Sequence, residues 1–449
     1  MATTYLTATQ GTPTNSKKCT VSVWLKRTGL AADTSTGTFF AGVNTSDTTD
    51  NGFINFNPNN KIFIQSSLND SNKLGFVTTR VFQDSSAWYH VVVAFDTTQS
   101  TSTDRVKIYI NGVQETAFDS ASYPDLNLDL PFSLSGLQFQ LGKYPTANDA
   151  YFNGLMSHYN FIDGTAYAPT EFGETDLTTG QWKIKTSPSV TYGYNGFFIL
   201  KDGNSVTDSS PNSNNFTVAS GTLTKTEDCP SNVFPIWNQA FMPFNIGNQV
   251  ATNGGTTIGS NSNGDSSNLA SMGARSGKYY WEIKVQNSVN TRSCGIVRSD
   301  IQGASTTTAI YPGGNGNASN FTSAYNMVNG YVQTVTSGTQ AQQGSLATLT
   351  TGDFLGVALD IDNLNIKWFK NASLVTTTNL TSAWIENGLF LIPANRMDGA
   401  QVVEYNFGNG CFGSTQLTGT TYSGTGGLGI FKFEPPTGFT ALSTKGLNL

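Results

Sequence analysis

The chain has 449 residues, comfortable for two or three domains and too many for one ordinary β-sandwich. Charged residues are only 12%, about half of the roughly 25% usual in soluble domains, and Ser, Thr, Asn and Gly take their place. Lys+Arg 24 against Asp+Glu 30 gives a net charge of −6 with no basic run longer than Lys17-Lys18, which argues against a broad nucleic-acid interface.

From Met1 the chain reads as polar β sequence rather than a secretory leader, and no apolar run approaches the roughly 20 residues that cross a bilayer. Period-2 alternation dominates, and helical periodicity is nearly absent. Four segments stand out in the first half: TVSVWLKR (20–27), WYHVVVAFD (88–96), VKIYING (106–112) and FNGLMSHYNFIDG (152–164). Val106, Ile108 and Ile110 alternate with Lys107 and Tyr109, and Asn111-Gly112 then supplies the positive-φ pair of a tight hairpin turn. This series resembles the laminin-G-like, concanavalin-A-like jelly roll, which implies a domain over residues 1–170. Such domains often bind Ca²⁺. The loop NTSDTTDN (44–51) offers oxygen ligands, but an ordinary turn is the expected reading.

Residues 171–245 read as a connector. It carries EFGETDLTTGQWKIK (171–185), TYGYNGFFI (191–199) and an Asn/Ser/Pro run from Asp208 to Thr217, expected as loop or linker.

Beyond it, SGKYYWEIKV (276–285) and TGDFLGVALDIDNLNIKWFKN (351–371) alternate cleanly, and LIPA (391–394) and VVEYNFG (402–408) follow. Trp281, Ile283 and Val285 are expected on the apolar face, with Glu282 and Lys284 on the polar one. These motifs resemble the paired core strands and closing strands of a SPRY domain, placed at 246–430 with a tail at 431–449. SPRY hairpins usually turn with Asn-Gly; here the pair is Asn371-Ala372, and Ala tolerates positive φ poorly, so a different turn is expected. The fold class is therefore all-β: two antiparallel sandwiches joined by a connector. Module order, connector and closing KFEPPTGFTALSTKGLNL (432–449) resemble virion proteins of tailed bacteriophages, especially marine ones.

Little in the chain suggests catalysis. The only two histidines, His90 and His158, fall inside expected strands, where neighbouring backbone would satisfy them. Cys19, Cys229, Cys294 and Cys411 lack CxxC spacing and read as free, buried thiols. Glucanases of the jelly-roll type place carboxylates as ExDxxE; Glu174-Thr175-Asp176 lacks the second glutamate. The GxGxxG match at Gly424 to Gly429 has no following helix to hold a phosphate, so it reads as a loop.

The binding candidate is the loop GGNGNASNFTSAY (313–325), where the SPRY family presents variable binding loops. Tyr311, Phe321 and Tyr325 would stack on sugar faces, and Asn315, Asn317 and Asn320 would bond hydroxyls. The expectation is a non-enzymatic virion surface protein attaching to host glycans. A purely structural decoration protein and a polysaccharide depolymerase with distant carboxylates are the alternatives. Expected partners are other virion proteins, a host-surface glycan and further copies of the chain, with no nucleic acid, membrane insertion or cofactor.

Overall fold

Strands that are apolar on one face must meet a second sheet, and this chain does so twice. In the computed structural model, residues 1–2, 30–36, 48, 145–150, 202, 239–243, 246–248, 261–264, 288–291, 301–311, 313–320 and 400 are not described; all others are. The chain divides into two units, Met1–Leu223 and Thr224–Leu449. Helical structure among the described residues is limited to short 3₁₀ turns.

The first unit stacks an eight-stranded sheet on a six-stranded one, the arrangement of a jelly-roll sandwich. Alternate residues of Lys18–Arg27, Trp88–Asp96 and Val106–Ile110 point inward: Val21, Val23 and Leu25, Val91, Val93 and Phe95, Val106, Ile108 and Ile110. They share one buried core with Phe40, Ile54, Phe56 and Phe139 of the opposing sheet. The hairpin turn forms as expected, with Asn111 at φ 49 and Gly112 at φ 81. Part of the segment expected as connector contributes strands here. Phe197–Ile199 pairs with Gly154–Asp163, and Thr217–Ser220 pairs with Tyr5–Thr9. The units therefore divide at Leu223/Thr224, inside that segment.

The second unit stacks a seven-stranded sheet on an eight-stranded one. The two long motifs are adjacent: Lys278–Val285 pairs antiparallel with Phe354–Asp360, and on its other side with Gln401–Asn406. Leu391–Asp398 lies in the opposing sheet. The tail folds back, and Thr440–Ala441 runs parallel beside Tyr279 and Tyr280.

Two local expectations are corrected. Asn371 and Ala372 sit at φ 47 and φ 72, so the hairpin keeps the two positive-φ positions despite the alanine. Asn371 holds it: its Oδ1 accepts from Phe354 N at 2.9 Å, its Nδ2 donates to Asp353 Oδ1 at 2.7 Å, and its own N bonds Phe354 O. Glu282, expected on a solvated face, is fully buried. The returning tail covers it.

Candidate functional site

His90 is buried between rings. It stacks on Trp24 (centroids 4.8 Å, 11° between planes), and Trp182 lies 6.0 Å away on a near-parallel plane. Trp182 Nε1 donates to His90 Nδ1 at 2.9 Å, and His90 Nε2 meets Ser22 Oγ at 2.9 Å. An indole N–H can only donate, so Nδ1 must be the acceptor and Nε2 carries the proton. Burial, with His158 adding to it, pulls His90 down to about 3, so it is neutral at physiological pH. Side chains satisfy this ring, where the sequence suggested backbone. His158 is half-buried in a bulged strand at φ 48, with Nδ1 2.8 Å from Ser157 Oγ.

Among the described loops, the polar groups of two sequence candidates are spent within turns. In the 44–51 loop, Asn44 Oδ1 accepts from Ser46 N and Asp47 N, Asp47 Oδ1 from Thr49 N, and Asp50 Oδ1 from Asn69 N. Asn44 and Asp47 thus cap their own turn, and Asp50 ties it to the turn at Asn69. The glycine run at Gly424 to Gly429 is likewise a turn, closed by Gly424 N to Leu428 O and followed by Phe431 bridged to Tyr422. Among the described residues, no group of three or more His, Cys, Asp or Glu side chains could hold a metal ion.

A further loop is a pair of segments, 192–196 and 208–215, knitted together by side chains. Asp163 Oδ2 accepts from Thr14 N (2.7 Å) and Asn195 N (3.1 Å). Asn195 pairs its amide with both backbone groups of Gly11. Asp208 accepts from the backbone of Phe198, Ser210 and Asn214 at 2.8 Å each and from the Ser210 hydroxyl at 2.7 Å. Asn212 Nδ2 donates to Gly193 O and to Gly196 O (2.8 Å), and Asn214 Nδ2 to Tyr194 O (2.8 Å) and Gly196 O (2.9 Å). Gly193 sits at φ 70, where an added Cβ would lie 2.1 Å from Asp163 O, so only glycine allows this approach. On this scaffold Tyr192 is buried, its hydroxyl on Asn160 Oδ1, while Tyr194 is 75% exposed. Thr14 Oγ1 accepts from Tyr194 N at 2.8 Å and fixes where that residue stands.

The binding loop expected from the sequence lies in the second unit. Tyr311, Asn315, Asn317 and Asn320 lie outside the described residues. Phe321 and Tyr325 are described, and for them the expectation is corrected. Phe321 is 5% exposed, wedged edge-on against Trp384 (5.5 Å) with the Arg298 guanidinium 3.5 Å over its ring. Asp300 holds that guanidinium through two bonds, 2.7 and 2.6 Å. Tyr325 belongs to strand Thr322–Asn326, faces the core and donates its hydroxyl to Ala347 O at 2.5 Å. Neither ring can stack on a sugar.

Residues 1–170 match the family model of the concanavalin A-like lectin/glucanases superfamily. No curated protein matches the chain. Among solved structures, the chain is similar to the SPRY domain of human HERC1 (19% identity over 35% of this chain and 91% of that one, TM-score 0.27). It is similar also to the PSpry domain of TRIM65 (10%, 38% and 91%, TM-score 0.29). A heptameric SAP-like pentraxin from Limulus polyphemus matches at 16% identity over 37% of this chain and 72% of that one, with a TM-score of 0.28.

Because that superfamily's description spans lectins and glucanases, the carboxylates matter. Glu174 and Asp176 lie on an exposed hairpin where Lys183 meets both, at 3.2 and 3.6 Å. Asp176 Oδ1 also accepts from Thr178 N and Thr179 N, which makes it a turn cap. Glu282 is a carboxyl held well above its ordinary range. Burial pushes it up to about 7 against the pull of Lys432 N (2.9 Å), Phe433 N (2.7 Å), Asn406 Nδ2 (3.1 Å) and the Tyr280 hydroxyl (3.3 Å). It is sealed under the tail, and its work is to hold the tail down. The thiols of Cys19, Cys294 and Cys411 are buried and Cys229 is half-buried; all four are free. Burial raises Cys19 and Cys411, so neither is a ready nucleophile.

Proposed function

We propose that this chain is a non-enzymatic virion surface protein of a tailed bacteriophage that attaches to the host surface through glycans. The first unit is read as the adhesive laminin-G-like jelly roll and the second as a SPRY sandwich. The observation that carries the reading is where the chain spends its polar groups. His90 is neutral and walled in by rings, and Glu174 and Asp176 share a lysine on a hairpin. Asp208 is consumed by backbone N–H groups. What faces water on the rigid loop pair is an aromatic ring with amides and hydroxyls, the side chains that hold sugars. The match of residues 1–170 to a lectin-containing superfamily agrees with this. Weak single contacts would be multiplied by copy number in the particle, since linked copies gain avidity without new contacts.

The test is to image the intact particle at a resolution that traces this chain. Copies placed on the outer surface of shell or tail support the reading. An even spread over the shell, together with no glycan binding by the purified chain, turns it into a decoration protein. Absence from the particle removes the virion role.

A further inference from the structure

We propose that the loop pair 192–196 and 208–215 is a preformed binding site for a neutral saccharide, with Tyr194 as its stacking platform. The inference rests on the adhesive reading above and assigns it a place, in the first unit rather than in the 313–325 loop of the second.

The argument starts from hydrogen-bond direction. Asn212 and Asn214 each aim an amide at backbone carbonyl oxygens. A carbonyl only accepts, so the nitrogen must face it and the orientation of both amides is fixed. Each Oδ1 is therefore turned away from the loop and left open to solvent, since both residues are half-buried and neither oxygen is enclosed. Thr14 is arranged in a complementary way. Its Oγ1 accepts from Tyr194 N, which leaves the hydroxyl hydrogen of this exposed residue to donate outward. Two acceptors and one donor thus flank the backbone of a residue that is 75% exposed.

A sugar presents the matching set. Its hydroxyls donate to amide oxygens and accept from a hydroxyl, and its C–H face lies on an aromatic ring. Charge points to the same class. The acids of the loop pair's scaffold, Asp163 and Asp208, are 1% and 8% exposed and bonded to backbone N–H groups, so the rim offers neutral groups. Rigidity points there too. An exposed tyrosine on a loose loop would lose freedom on binding. Here the side chains of Thr14, Asp163, Asp208, Asn212 and Asn214 already hold the backbone, which reduces the ordering cost of capturing a weak ligand. The buried neighbour Tyr192, two residues away, shows that exposure of Tyr194 is not forced by the local chain.

The experiment uses the full chain on an array of purified bacterial capsular and lipopolysaccharide O-antigen saccharides, neutral and acidic. Wild type, Tyr194→Ala and Tyr194→Trp are compared, with thermal melts to show equal folding, as expected for an exposed ring. Retention of neutral saccharides by wild type, a loss of roughly tenfold or more in Tyr194→Ala and retention in Tyr194→Trp support the site. Equal binding by wild type and Tyr194→Ala overturns the site and leaves glycan adhesion standing. Preference for acidic saccharides overturns the ligand class. No binding of any saccharide by wild type overturns both the site and the adhesive reading.

Discussion

Trp182 and His90 share a 2.9 Å hydrogen bond in which the indole gives the proton and the imidazole Nδ1 takes it. Trp182 comes from the short strand Trp182–Ile184, in a segment whose sequence reads as connector, and His90 from the central strand Trp88–Asp96. The bond fixes the imidazole tautomer and pins the hairpin onto the sheet. Gly112 makes room for it, since a Cβ there would lie 2.6 Å from the indole ring.

The first prediction concerns acid. His90 is held down to about 3 by burial, well below its ordinary 6.5. Its contribution is full above pH 6.5 and is lost as pH falls towards 3, because the unfolded state takes up the proton first. The total is on the order of 5 kcal/mol across that window. Nitrogen-detected NMR is expected to show an Nε2–H tautomer that does not titrate between pH 8 and pH 4. A midpoint near 6.5 in the folded protein would show the ring to be open to solvent.

Glu282 behaves in the opposite sense. Its pKa is raised from 4.5 to about 7, so burial of this acid is tolerated below pH 4.5 and becomes costly as pH rises through 7. Releasing the tail relieves that cost, about 3 kcal/mol at the alkaline end. Protection of the Lys432 and Phe433 amides, corrected for intrinsic exchange, is expected to fall roughly 100-fold between pH 5 and pH 8. Flat protection over this range would rule out the linkage. Glu282→Ala leaves donors from Lys432, Phe433 and Asn406 facing an empty space and is expected to cost about 3 kcal/mol in the second unit.

Ala372 stands at φ 72, a conformation that costs an L-residue with a Cβ roughly 1 kcal/mol and glycine nothing. Ala372→Gly is therefore expected to stabilise the hairpin between Asn365–Lys370 and Ser373–Asn379 by about 1 kcal/mol, less the entropy glycine adds to the unfolded chain. Urea unfolding of the second unit reads it. A lower midpoint would mean that the strain is already relieved elsewhere.

How much of this was legible follows from where a residue's partners lie. Val106, Ile108 and Ile110 announce their inner face because their side chains go into the core while Lys107 and Tyr109 alternate outward. Glu282 could not be placed, because its burial depends on Lys432 and Phe433, 150 residues further on, folding back over a face that looks solvated in sequence. Phe321 and Tyr325 look like loop aromatics beside asparagines. What removes them from the surface is Arg298 and Trp384 in one case and a strand facing the core in the other. In TYGYNG, Tyr192 and Tyr194 are chemically alike and two residues apart. Tyr192 packs among Val92, Ile162, Phe172 and Phe198 with its hydroxyl on Asn160, whereas Thr14 holds only the backbone of Tyr194 and the ring stays outside. The signal available was Gly193, whose positive φ marks a backbone pressed against a neighbour.

The last prediction tests whether that loop pair is rigid for the reason given. Asp208 Oδ1 takes the N–H groups of Phe198 and Ser210, while Oδ2 takes the Ser210 hydroxyl and Asn214 N. Asp208→Ala removes all four bonds and leaves buried donors open, an expected loss of about 3 kcal/mol. Asp208→Asn is more instructive. Its oxygen can keep the Oδ1 bonds, but its nitrogen would then meet Asn214 N donor to donor. It should therefore retain the Phe198 contact and free the 210–214 turn, with a smaller loss of about 1–2 kcal/mol. Hydrogen exchange at Asn214 and Phe198 separates the two variants: both amides lose protection in Asp208→Ala, only Asn214 in Asp208→Asn. Equal protection of Asn214 in all three proteins would show that Asn212 and the glycine turns hold the loop without the carboxylate. Tyr194 would then owe its position to Thr14, and to Asp163 through the adjacent Asn195 N, instead.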